Sequence, residues 1–117
     1  MERYRLFHVS TLKSKPGRGS EAVTWWHEKG QAFMESLPGV KSVNAYATQF
    51  NLGGEYQYEI WAEIEDYAVY DRWDEDTVAH PERYGPFFES SAYFDWGPAR
   101  IMGDWPQSRL ISREQAS

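Results

Sequence analysis

Two hydrophobic periods alternate along this chain, and the order in which they follow one another constrains its fold more than any single motif. Tyr4 to Leu12 alternates and is rich in β-formers. This predicts a first strand with Arg5, Phe7, Val9 and Thr11 on one face and Leu6, His8, Ser10 and Leu12 on the other. Lys15-Pro16-Gly17-Arg18-Gly19 is a turn, after which Ser20 is a suitable N-cap with Glu21 in the first turn to meet the helix dipole. To about Leu37 the period is helical. Ala22, Trp26, Phe33 and Leu37 form one stripe opposite Thr24, Glu28, Gln31 and Glu35. Gly30 beside that stripe predicts a close approach of the backbone to a sheet or a ligand. Lys29, also near it, reads either as a snorkelling edge residue or as a cation reaching into a pocket.

Leu37-Pro38-Gly39 ends the helix, and Val40 to Phe50 predicts a second strand, with Val43, Ala45 and Ala47 alternating against Asn44, Tyr46 and Thr48. Asn51-Leu52-Gly53-Gly54 predicts a hairpin into an antiparallel third strand, Tyr56 to Ile64. A second helical segment starts near Asp66, groups Val69, Tyr70 and Trp73, and should fray at Asp74-Glu75-Asp76. Between Pro81 and Phe94 two short helical pieces are expected, because Pro86 supplies no N–H. Asp95-Trp96-Gly97-Pro98 is expected to turn the chain into a last strand, Ala99 to about Trp105.

Strand, helix, strand, strand, helix pair, strand is the split β-α-β order of a ferredoxin-like α+β sandwich with an antiparallel sheet. A length of 117 residues fits one domain, 1–105, with a polar tail over 106–117. The helices of such a fold cover one sheet face, yet the first three strands carry apolar groups on both. A second copy of the sheet would cover the other face, so a homodimer closing a barrel is expected. Aromatic residues make up 17% of the chain. Such an excess calls for a ring-walled pocket, a subunit interface, or both.

The formal charge of −6, with no basic cluster beyond Lys13, Lys15 and Arg18, argues against nucleic acid as a partner. No apolar run is long enough to span a bilayer or to form a signal core, so the expected location is the cytoplasm. With no Cys, disulfides, thiol nucleophiles and thiolate metal sites are excluded.

Several short elements, in order, resemble the dimeric α+β barrel superfamily, and within it the stress-responsive A/B barrel group that includes plant polyketide cyclases. They are the opening strand His8-Val9-Ser10-Thr11-Leu12-Lys13, the turn Leu37-Pro38-Gly39-Val40, the step His80-Pro81, and Phe94-Asp95-Trp96 before the last strand. The likeness spans most of residues 4 to 105. It implies a pocket in each subunit between helices and sheet, and in the cyclases acid/base work by a His two residues after the Pro of a His-Pro-x-His step. Here that position is Arg83. His8 is the counterpart of the opening-strand His, and His80 keeps the first His of the step.

These residues lead to an acid/base site. His8 is read as a general base or neutral ligand, or else as a hydrogen-bonded core histidine. His80, before a Pro suited to the first helical position, is its expected partner or a loop-fixing residue. If both converge on one pocket, Tyr70 joins them in catalysis. Tyr84 and Asn44 then supply hydrogen bonds, Trp26, Trp61, Trp73 and Phe87 the walls, and Lys29 and Arg83 the remaining contacts. The expected ligand is small, apolar or aromatic, and the expected activity is a cyclase or isomerase acting on an aromatic or polyketide-like substrate. A monooxygenase of cofactor-independent or haem-dependent kind, and a non-catalytic ligand-binding dimer, are the alternatives. The acidic run Asp66, Asp71, Asp74, Glu75 and Asp76 reads as a solvated face, not a metal site. No glycine-rich motif matches a phosphate cradle, so no cofactor is expected.

Overall fold

A computed structural model describes residues 4–50 and 57–104. Four strands, β1 (Leu6–Ser14), β2 (Val40–Ala47), β3 (Tyr58–Ile64) and β4 (Phe94–Gly103), form one sheet in the order β2-β3-β1-β4, all neighbours antiparallel. The expected hairpin turn at 51–54 and the tail over 106–117 lie outside the described residues. With His8 opposite Ala62 and Ile101, and Ser10 opposite Ile60 and Ala99, the even-numbered side chains of β1 share the face that the helices cover. Phe7, Trp61, Asn44, Tyr46 and Met102 share the outer face.

The first helical segment is an α-helix, α1 (Gly19–Trp25), then a π turn over Trp26–Gly30, then α2 (Gln31–Glu35). A π turn inserts about one extra residue into the helical repeat. The buried stripe therefore slips, and Trp25, not Trp26, enters the core with Ala22, Phe33, Met34 and Leu37. Gly30 has its own reason to be glycine. A Cβ there would come within 2.6 Å of the Trp25 ring and 2.7 Å of the Trp26 ring. What approaches this backbone is neither sheet nor ligand but two indoles of its own helix.

The second helix, α3 (Val69–Ala79), begins after an Asp66 side chain that accepts from the Ala68 N–H at 3.0 Å. It does not fray at the acidic run. Asp76 is held by Arg83 at 3.0 Å and by the Tyr84 hydroxyl at 2.9 Å, so the carboxylate that ought to repel its neighbours has partners from the chain that follows. After α3 come a 3₁₀ turn, Pro81–Tyr84, and a short helix α4 (Gly85–Ser90), the two pieces that Pro86 implied.

Asp95 to Pro98 is strand, not turn. Leu12 pairs with Trp96 and Ser10 with Ala99, and the register shift between them accommodates Gly97 and Pro98. Thr11 Oγ1 donates to the Pro98 carbonyl at 2.8 Å, and a Cβ on Gly97 would sit 2.6 Å from Thr11 Oγ1. This irregularity keeps Trp96 on the helix-covered face. Among the described residues no helix is long and apolar enough to cross a membrane.

Candidate functional site

Strand alternation aims His8 from the middle of β1 at the helix layer, and the i, i+3 spacing of α3 brings Tyr70 and Trp73 down onto it. His8 Nδ1 lies 2.8 Å from the Tyr70 hydroxyl. The Trp73 ring meets the imidazole edge-on at a centroid distance of 5.2 Å and the Tyr70 ring at 5.1 Å. Trp73 is itself fixed by donation from Nε1 to the Pro38 carbonyl at 2.7 Å. The imidazole is therefore oriented from two sides.

Beside this cluster is a cavity of about 160 Å³, lined by His8, Ser10, Phe33, Met34, Leu37, Trp73, Tyr84, Phe87 and Trp96. An apolar cavity of ~150 Å³ accepts one benzene ring, which sets the scale of a guest. Tyr84 presents its ring to the cavity, because its hydroxyl is donated away to Asp76. Phe87 packs on Phe33 and Trp96.

Burial lowers the His8 pKa and raises that of Tyr70. Both groups are thus held neutral near neutral pH. For His8 the folded pKa lies below the unfolded one, so between about pH 6.5 and the folded value the unfolded chain binds more protons. Its contribution to stability is complete above ~6.5 and is lost as the pH falls through the folded pKa. The urea midpoint is accordingly expected to drop more between neutral and mildly acidic pH in the wild type than in His8→Asn. Equal drops would show that His8 does not titrate in this way.

Of the residues singled out from the sequence, His8, Tyr70, Trp73, Tyr84 and Phe87 come together here, Tyr70 through His8. The others do not. His80 is exposed, 3.7 Å from Glu82, and does not line the cavity, because it ends α3 with its N–H on the Asp76 carbonyl. Arg83 turns to Asp76, whose side chain is only 9% exposed. Lys29 pairs with Glu89 at 2.8 Å on the surface. Trp61 and Asn44 face each other across β2 and β3 on the outer face, where Trp61 Nε1 donates to Glu59 at 2.9 Å and holds that carboxylate below its usual range. Trp26 lines a second cavity of about 210 Å³ with Trp25, His27, Ala45, Ala47, Tyr58 and Phe94.

Sequence reasoning missed Ser10, Phe33, Met34, Leu37 and Trp96 as lining residues. Ser10 had a signal, since it shares the His8 face two positions on. Trp96 had none, because its stretch reads as a turn until the register shift in β4 is known.

No protein-family model matches the chain, and no curated protein matches it in sequence. Solved structures do match in fold. HapK from Hahella chejuensis is 12% identical with a TM-score of 0.64, over 88% of this chain and 95% of that one. A mutant form of SnoaB from Streptomyces nogalater, described as a cofactor-independent oxygenase, is 13% identical with a TM-score of 0.61, over 89% and 96%. A dimeric ferredoxin-like protein of unknown function from Thermobifida fusca is 10% identical with a TM-score of 0.53, over 88% and 92%. At such identities the likeness fixes the fold alone: this chain has a ferredoxin-like α+β fold.

Proposed function

We propose that the chain is a small-molecule acid/base protein that binds an aromatic or polyketide-like compound in the His8 cavity and moves a proton at an enolisable carbon, in a cyclisation or isomerisation. The bond between His8 Nδ1 and the Tyr70 hydroxyl at the cavity wall is the observation that carries this reading. With the ring proton on Nδ1, that N–H donates to the phenol oxygen and Nε2 keeps its lone pair. Nε2 removes a proton from a carbon beside a carbonyl, and the C–H electron pair moves onto the carbonyl oxygen as an enolate. The imidazolium then returns the proton to another carbon, or the enolate carbon bonds a second carbonyl whose oxygen takes the proton. Trp73, Tyr84 and Phe87 serve as walls.

The likeness to a cofactor-independent oxygenase favours a second reading, in which the same carbanion bonds dioxygen and the imidazolium proton completes a hydroperoxide. The outer face, with Phe7, Tyr46, Trp61 and Met102, is proposed to pair with a second copy, in keeping with the dimeric neighbour; light scattering should then give twice the mass of one chain.

Hydrogen–deuterium exchange in D2O tests the chemistry. Acetophenone and its 4-hydroxy derivative should lose their methyl proton signal faster with protein than without. Oxygen uptake in the same samples separates the second reading from the first. Binding without exchange would make this a non-catalytic ligand-binding protein, and neither binding nor exchange would remove the site.

A further inference from the structure

We infer that Ser10 is a second polar anchor in the His8 cavity, and that the ligand carries a second neutral oxygen function besides the group that meets His8. This rests on the cavity being a ligand site and deepens that reading.

Five side chains in the cavity wall bear nitrogen or oxygen: His8, Ser10, Trp73, Tyr84 and Trp96. Three direct those atoms into the protein. Trp73 donates to the Pro38 carbonyl at 2.7 Å, Tyr84 to Asp76 at 2.9 Å and Trp96 to Ser90 Oγ at 2.8 Å. Such rings offer a guest only their apolar surface.

Ser10 differs. It is 5% exposed, and its Oγ makes no hydrogen bond among the described residues. Its cross-strand neighbours, Ile60 and Ala99, bring no polar side-chain atom to that face. A buried hydroxyl left without a partner is uncommon and costs stability, so its presence in a cavity wall points to a partner that arrives with the ligand. On His8, Nε2 likewise has no hydrogen-bond partner among the described residues.

Spacing then restricts the ligand. His8 and Ser10 are two residues apart on one strand face, roughly 6.6–6.8 Å along it. A single ring bearing two oxygens, with a hydrogen bond of about 2.8 Å at each end, bridges that span, so one ring-sized ligand serves both residues. Charge restricts it again. Lys29 and Arg83 are paired with Glu89 and Asp76 and line no part of this cavity, so no cation meets a carboxylate there. A hydroxyl both donates and accepts, so a phenol, ketone or ether oxygen suits it equally.

Calorimetric titration of the full-length protein with phenol, catechol, resorcinol and hydroquinone tests this. Wild type should bind at least one of the three dihydroxybenzenes about five- to tenfold more tightly than phenol, the worth of one neutral hydrogen bond. In Ser10→Ala that advantage over phenol should vanish, and the variant should melt no lower than wild type. An advantage that persists in Ser10→Ala overturns the inference. So does a fall in its melting temperature of several degrees, which would mean that the fold itself uses Oγ. If phenol binds but a second oxygen confers nothing, the Ser10 inference alone fails. If no probe binds wild type, the ligand-site reading fails with it.

Discussion

Replacing His8 with Ala should lower the rate of proton exchange on an aryl ketone by about 10²–10⁴-fold, the usual worth of a positioned general base. His80→Ala should leave it within about twofold, an effect too small to separate from a surface change. The contrast follows from geometry. His8 is half-buried at the wall of a ring-sized cavity, with Nδ1 on Tyr70 and its ring against Trp73. His80 is exposed and beside Glu82, and its backbone, not its ring, is committed to the fold. Tyr70→Phe sharpens the test, since it keeps the ring on Trp73 and removes only the hydroxyl. Its rate should fall between those of wild type and His8→Ala, and its pH–rate profile should shift, which a packing role would not produce. Wild-type exchange in His8→Ala would remove His8 from the chemistry.

Gly39→Ala should be the most damaging single change to stability. Gly39 has a φ of +78°, a conformation that costs an L-residue roughly 1–2 kcal/mol. A Cβ there would also collide with Val69 Cγ1 and lie 3.0 Å from Arg72 Nη2. Val69 is wholly buried. It cannot swing into solvent, so overpacking adds about 1–3 kcal/mol. Together these predict a loss of about 2–5 kcal/mol and a fall in melting temperature on the order of 10 °C or more. The damage should reach the site as well, because pushing on Val69 displaces the start of α3, from which Tyr70 and Trp73 descend onto His8. A variant melting within about 2 °C of wild type would mean that α3 moves aside freely, contrary to close packing.

Most of the architecture was legible because it rests on local periods. Alternation assigned His8, Ser10 and Leu12 to one face of β1, and the pairing bears this out. Leu37-Pro38-Gly39 was legible as a helix stop. Two irregularities were not. The π turn at Trp26–Gly30 exchanges Trp25 for Trp26 in the core, and the register shift opposite Ser10 and Leu12 turns an apparent loop into the start of β4. Neither leaves a period of its own in the sequence: the first shows in two indoles packed over Gly30 of the same helix, the second in Thr11 over Gly97 and Pro98.

The sequence by itself determined the order of elements and the face on which His8 stands, since a period of two or of 3.6 is written in consecutive residues. Only the tertiary structure decided what keeps His8 company. Trp61 and Asn44 alternate onto the outer face, His80 is spent on ending a helix, and Tyr70 reaches the imidazole from 62 positions away. Contacts between a sheet and the helices laid over it depend on how the helices cross it and on each slip in register. Those are set by packing between distant segments, and no local pattern records them.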